Sequence, residues 1–180
     1  MVDLGAYRDK FGETGQRILE YALSESRRRD QNFVAVEHIL KGLIHEEPDM
    51  FNSAMRELSL DPVTVKIAID KRLENIRQQH VGKGFRISPD TTDLFKRSME
   101  RARTQGRKTI EATDIFEALT NYESLFVEVL RNMGVSQENV AENVRAQVQK
   151  REHEEEQYRK KFELPPYLKH FGVSLNRLAR

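Results

Sequence analysis

The 180-residue chain contains no cysteine. That absence excludes a disulfide frame, a thiol nucleophile and a cysteine-ligated metal. No apolar run approaches the roughly 18 residues that suggest a membrane span. There is no excess of charge of one sign either: 30 Lys and Arg face 29 Asp and Glu, for a formal net charge of +1. Charged residues make up 33% of the chain, with signs mixed, which describes a solvated helical surface. A nucleic-acid footprint would need a one-sided basic bias. The nine glycines form neither a G-x-x-x-x-G-K-[ST] nor a G-x-G-x-x-G arrangement. Without a loop to cradle phosphates, no ATPase activity and no cofactor are expected of this chain. Met1 to Lys10 carries Asp3 and Asp9 and no apolar segment, unlike a signal peptide. A cytoplasmic protein is the expectation.

What the chain does have is an internal repeat, which has to be read before anything else. Phe33-Val34-Ala35-Val36-Glu37-His38-Ile39-Leu40-Lys41-Gly42-Leu43 recurs as Ile110-Glu111-Ala112-Thr113-Asp114-Ile115-Phe116-Glu117-Ala118-Leu119. Val34 answers to Ile110, Val36 to Ala112, Ile39 to Ile115, Leu40 to Phe116 and Leu43 to Leu119, always 76 positions apart. Upstream, Ile18-Leu19 answers to Leu94-Phe95 and Ala22 to Ser98 at the same spacing. Downstream, Leu58-Ser59-Leu60-Asp61 answers to Met133-Gly134-Val135-Ser136, and Val65, Ile69 and Leu73 answer to Val140, Val144 and Val148, now 75 apart.

The apolar spacing predicts helices throughout. The first runs from about Thr14 to Arg28, ending in Arg27, Arg28 and Arg29. These suit the negative end of a helix, with phosphate binding as the sharper alternative. A second runs from about Val36 to His45. Asp49 is read as cap of a third, and Asp61-Pro62 as cap and first residue of a fourth. Arg77 to Arg86 reads as a connecting loop. Ser88-Pro89 restarts the cycle, and Gly106 and Gly134 mark turns. Lys150 to Glu163 carries i,i+4 pairs, Glu155 with Arg159 and Glu156 with Lys160, as a solvated helical extension would.

No catalytic constellation is present. His38 and His45 lie seven apart beside Glu46 and Glu47, a poor metal spacing. The simpler reading is a helix whose His38 bonds locally. Glu37, at the start of a helix, is read either as a cap or surface residue or as a grip for a cationic ligand.

Phe11, Arg17-Ile18-Leu19-Glu20-Tyr21-Ala22 and Val34 to Leu43, followed by Leu58-Ser59-Leu60-Asp61, resemble the repeat of the Clp N-terminal domain. Two copies in series stand at the front of the ClpA, ClpB and ClpC class of AAA+ unfoldases. The resemblance implies an all-α fold of two pseudo-symmetric four-helix repeats (about 11–76 and 87–149) forming one domain over residues 1–149. A charged helical linker (150–166) would follow. Lys169 to Arg180 is similar to the lead into the first ATPase module, so 167–180 is expected to begin a truncated module, with Phe171, Leu175 and Leu178 contacting it.

The implied function is a substrate- and adaptor-binding module of an ATP-dependent unfoldase, with ATP and Mg confined to the full-length parent. Its partners would be unfolded proteins, adaptor proteins and, through the ring, a Clp protease, with neither nucleic acid nor membrane. A stand-alone accessory subunit docking on a Clp ring or protease is the alternative. In the ClpC branch, a Glu at the position of Glu37 contributes to phosphoarginine recognition. Here the second copy has Thr113 and then Asp114, and Val36 and Ala112 replace the small polar residue usual before that Glu. The expected binding residues are therefore Glu37 and Val36 in the first copy and Ala112, Thr113 and Asp114 in the second. Both helix starts are expected to carry an acidic residue near exposed apolar groups, with a shallow groove close to the junction of the repeats.

Overall fold

The computed structural model describes residues 2–31, 33–75, 86–120 and 123–161. After β1 (Val2–Asp3) and a 3-10 helix (Leu4–Lys10), the first repeat contains α1 (Glu13–Arg28), β2 (Phe33–Val34), α2 (Val36–Glu46), α3 (Pro48–Glu57) and α4 (Pro62–Glu74). The second contains β3 (Arg86–Ile87), α5 (Pro89–Thr104), α6 (Ala112–Ala118), α7 (Leu125–Asn132) and α8 (Gln137–Lys161). The helices follow one another in the same order in both halves. α1 and α5 begin and end 76 positions apart, α2 and α6 begin 76 apart, and α4 and α8 begin 75 apart. The chain divides into a compact unit, Met1–Val148, and a second unit from Gln149 onward. Within the latter, Glu156 pairs with Lys160 at 2.7 Å, and Glu155 pairs with Arg151 at 3.3 Å. The Arg159 side chain, expected to pair with Glu155, lies outside the described residues.

Local chemistry starts and stops these helices. Asp61 accepts from the Val63 and Thr64 backbone N–H groups, and Ser88 accepts from Thr91 N–H, each just ahead of a proline that needs no donor partner. α3 differs from expectation: Pro48 is its first residue, so Asp49 lies inside the first turn and does not cap it. The turns match as well. Gly106 (φ +71°) and Gly134 (φ +88°) occupy left-handed positions, and their counterparts in the first repeat, Asp30 (φ +54°) and Ser59 (φ +58°), do the same without being glycine. A close approach explains Gly42: a Cβ there would stand 2.5 Å from the Ile18 carbonyl oxygen, so α1 packs directly on the α2 backbone.

The buried stripes are those of the repeat pattern. Ile18, Leu19, Ile39, Leu40, Leu43, Val65, Ile69 and Leu73 are buried in one half, and Leu94, Phe95, Ile115, Phe116, Leu119, Val140, Val144 and Val148 in the other. The two halves share one core. Phe51 of α3 and Phe126 of α7, which are counterparts, meet with ring centroids 6.3 Å apart, and Phe116 closes the cluster at 6.4 and 5.9 Å.

The halves are also joined by an exchange of their lead-in residues. Ile87, which opens the second repeat, pairs in parallel with Val34 of the first, and Ser88 N–H donates to the Val34 carbonyl at 3.0 Å. Phe11, which opens the first repeat, bridges in parallel to Ile110 of the second, and Gly12 N–H donates to the Ile110 carbonyl at 2.9 Å. Arg86, read from sequence as the end of a loop, is therefore in a strand. β3 lies at the centre of a three-stranded sheet between β1 and β2. Two-residue strands are too short to show alternation, so sequence periodicity could not reveal them.

Candidate functional site

Both key helices start by the same device. The third residue of each turns back to take the N–H of the residue before the helix, satisfying a donor that the helix leaves unpaired. In α2, His38 Nδ1 accepts from Ala35 N–H at 3.0 Å. In α6, Asp114 Oδ2 accepts from Glu111 N–H at 2.9 Å. His38 and Asp114 are counterparts, both 0% exposed. Because Nδ1 accepts, the proton sits on Nε2, which donates to Gln31 Oε1 at 2.7 Å. Asp114 instead receives Arg107 at 2.5 Å and Arg101 at 2.6 Å.

Burial pulls the His38 pKa down from the usual 6.5 to about 4. A depressed histidine favours the folded state fully above the unfolded pKa. That contribution is lost as pH falls from about 6.5 toward 4, because only the unfolded chain then takes the proton. Glu25, held at about 2 by Arg28 and Arg29, adds a further loss below about 4.5. Burial raises the Glu37 pKa, and this opposes the loss over the range just above 4.5. Stability should therefore fall by on the order of 3 kcal/mol between pH 6.5 and 4, mainly through His38. Denaturant titrations across that range check it. The His38→Gln protein, which has no titrating group there, should show a much flatter profile.

The starts of α2 and α6 are otherwise unlike. Glu37 is half-buried and makes no ion pair among the described residues. Burial is the main cause of its raised pKa, and nearby Asp90 and Glu128 add to it. Arg72 opposes the shift but is paired with Glu128. At the α6 start, by contrast, Thr14 Oγ accepts from Ala112 N–H at 3.0 Å, and the Glu111 carboxylate accepts from Thr14 Oγ and N–H at 2.6 and 3.1 Å. Thr14 and Asp90 are counterparts. A hydroxyl can accept from a backbone N–H and donate to Glu111 at once, whereas the Asp90 carboxylate can only accept. The sequence reading missed Thr14, Asp90, Glu111, Arg101 and Arg107. The repeat spacing, applied to polar residues as well as apolar ones, would have set Thr14 beside Asp90, Arg101 beside Glu25 and Arg107 beside Gln31; Glu111, whose counterpart is Ala35, carries no such signal.

The structure corrects the expected exposure. Val36 (5%), Ala112 (3%), Thr113 (6%) and Asp114 (0%) are buried, so the apolar residues at these starts are not themselves exposed. Asp114 serves the fold through its arginines and its helix cap. Of the five expected binding residues, Glu37 alone reaches the surface. Phe171, Leu175 and Leu178 lie outside the described residues. His45 stacks on Tyr21 at 4.2 Å and pairs with Glu46, and Arg28 and Arg29 are turned onto Glu25. No group of three or more His, Cys, Asp or Glu among the described residues could hold a metal.

Among the described residues, concavities lie elsewhere on the unit. One, of about 440 Å³, lies between the end of α3 and the start of α8, where Ser59 and Gly134 turn, with Glu57, Glu142 and Asn143 on its walls. Another, of about 200 Å³, is floored by Tyr21, Ile44 and Ile69 and rimmed by Lys41, Lys66 and Asp70. No helix among the described residues is long and apolar enough to cross a membrane.

The profile of the Clp repeat (R) N-terminal domain matches residues 10–123. The chain is 25% identical over 142 residues to the chloroplastic chaperone protein ClpC1 of Arabidopsis thaliana, a match covering 76% of this chain and 15% of that one. It thus spans a small fraction of such relatives. Its fold matches the Hsp104 N-terminal domain of Candida albicans with a TM-score of 0.65, at 12% identity, over 75% of this chain and 89% of that one. It also matches a ClpV N-domain solved in complex with a VipB peptide, with a TM-score of 0.59, at 16% identity, over 82% and 92% of the two chains. The paired four-helix repeats and a profile match across most of their length agree: this chain belongs to the Clp repeat N-terminal domain family.

Proposed function

We propose that this domain is the substrate- and adaptor-binding module of a Clp-type unfoldase, acting by protein binding and not by catalysis. Family membership supports that reading, and so does the complex of the ClpV N-domain with a peptide. The observation that carries the choice of site is Glu37. It is a half-buried carboxylate at the start of α2 with no ion-pair partner among the described residues; Asp90 and Glu128 add negative charge nearby, and Arg72, the cation that acts on it, is paired with Glu128. Such a group is stabilised by an incoming cation. The preferred ligand is therefore a basic unfolded segment, with an arginine or lysine reaching Glu37. A phosphorylated arginine would bring its phosphoryl group toward carboxylates, so the same neighbourhood disfavours it.

The expected contribution is modest, about 1 kcal/mol or less, as for other ion pairs near a surface. Glu37→Ala should leave the melting temperature close to that of the parent. It should weaken binding of an arginine-containing unfolded peptide up to roughly five-fold, more at low salt than at high. Calorimetry with arginine and phosphoarginine versions of one peptide tests the chemistry. A lowered melting temperature with unchanged peptide affinity would make Glu37 a helix-start residue only. Tighter binding of the phosphorylated peptide would overturn the preference for a free cation.

A further inference from the structure

The buried stripes of the two repeats are close to interchangeable. Ile18 and Leu94, Ile39 and Ile115, and Val65 and Val140 fill matching places, and α1 and α5 have the same length. Hydrophobic contact is non-directional, so apart from the close approach at Gly42, whose counterpart is Ala118, these stripes give α1 little reason to choose α2 over α6. The charges that join the helices are not interchangeable. In the first repeat, Lys41 of α2 stands between Glu25 of α1, at 3.5 Å, and Asp70 of α4, at 2.6 Å. In the second, Glu117 of α6 stands between Arg101 of α5, at 2.6 Å, and Arg145 of α8, at 3.8 Å. Position by position these are counterparts: Glu25 with Arg101, Lys41 with Glu117, Asp70 with Arg145. The sign is inverted at all three.

We infer that this inversion is a pairing code that assigns each helix to its own repeat while the chain folds. Exchange of α1 with α5 would set Glu25 against Glu117 and Arg101 against Lys41. Exchange of α2 with α6 would place Glu117 between two carboxylates and Lys41 between two arginines. Exchange of α4 with α8 would set Asp70 against Glu117 and Arg145 against Lys41. Every wrong assignment juxtaposes like charges, and the inner members are well shielded from water: the Glu25 and Arg101 side chains are 6% and 9% exposed. Repulsion there is strong, so the wrong arrangement is penalised where the native one places opposite charges together.

The test uses two variants of the full chain. In the copy variant, the first repeat takes the polar set of the second: Glu25→Arg, Arg28→Thr, Arg29→Gln, Gln31→Arg, His38→Asp, Lys41→Glu and Asp70→Arg. Both repeats then carry the same signs. In the exchange variant, the second repeat also takes the original set of the first, so the signs oppose again in reversed order. Each protein is unfolded in denaturant and diluted, and the native monomer is measured by size-exclusion chromatography and amide exchange of α1 and α5. The copy variant should refold with at least a threefold lower yield of native monomer, and the exchange variant should return toward the parent yield. The inference is overturned if the copy variant refolds like the parent. It is also overturned if the exchange variant refolds as poorly as the copy variant, because local misfit of the substitutions would then explain both.

Discussion

Asp114→Ala should lower the stability of the unit by about 3–5 kcal/mol, and its melting temperature by roughly 10 °C or more. The carboxylate is fully buried and receives Arg101, Arg107 and the Glu111 N–H. Removing it takes a cap from α6 and leaves two cations without the carboxylate between them. Arg101 is the worse placed, since its side chain is 9% exposed. Glu117 at 2.6 Å still holds it, which keeps the loss finite. Asp114→Asn should fall between the parent and the alanine protein, since an amide oxygen can still accept from Glu111 N–H but carries no charge. Denaturant titration measures both. A loss below about 1 kcal/mol in the alanine protein would place Asp114 among exposed ion pairs in energetic terms.

Phe51→Ala should cost about 3–5 kcal/mol, through one cooperative transition and not two. Phe51 is fully buried, and its ring meets Phe116 and Phe126 of the other repeat. Because these rings belong to both halves, the void would weaken both together. Phe126→Ala should behave alike, and the double variant should show a coupling of about 0.5–1.5 kcal/mol between the rings. A biphasic melt in either single variant, with one half unfolding first, would contradict the shared core.

Much of this architecture was legible in the chain. Buried positions at helical spacing recur at fixed separation, and helix starts such as Asp61-Pro62 and Ser88-Pro89 carry their own chemistry. The strands were not legible: β2 and β3 are two residues each, and their pairing depends on partners far away in sequence. The candidate site was only partly legible. Glu37 was found because it opens a helix, but its acidic surroundings come from Asp90 and Glu128, on other helices. Asp114 looked like a second acidic ligand group because it directly follows Thr113, which holds the position of Glu37. By position it corresponds to His38, and its arginines lie elsewhere in the chain. The inverted charges escaped notice because repeat matching by hydrophobicity passes over polar positions.

The exchanged lead-ins bear on how such a domain is made. Synthesis runs from the N-terminus, so Val34 is produced long before Ile87, its parallel partner. Phe11 waits longer still for Ile110. Until the second repeat is synthesised, the first has an open strand edge, and Phe51 lacks the aromatic rings that cover it. These contacts of the first repeat can form only once the second has been translated. During that interval the nascent polypeptide exposes the unpaired backbone and apolar surface by which molecular chaperones know their clients.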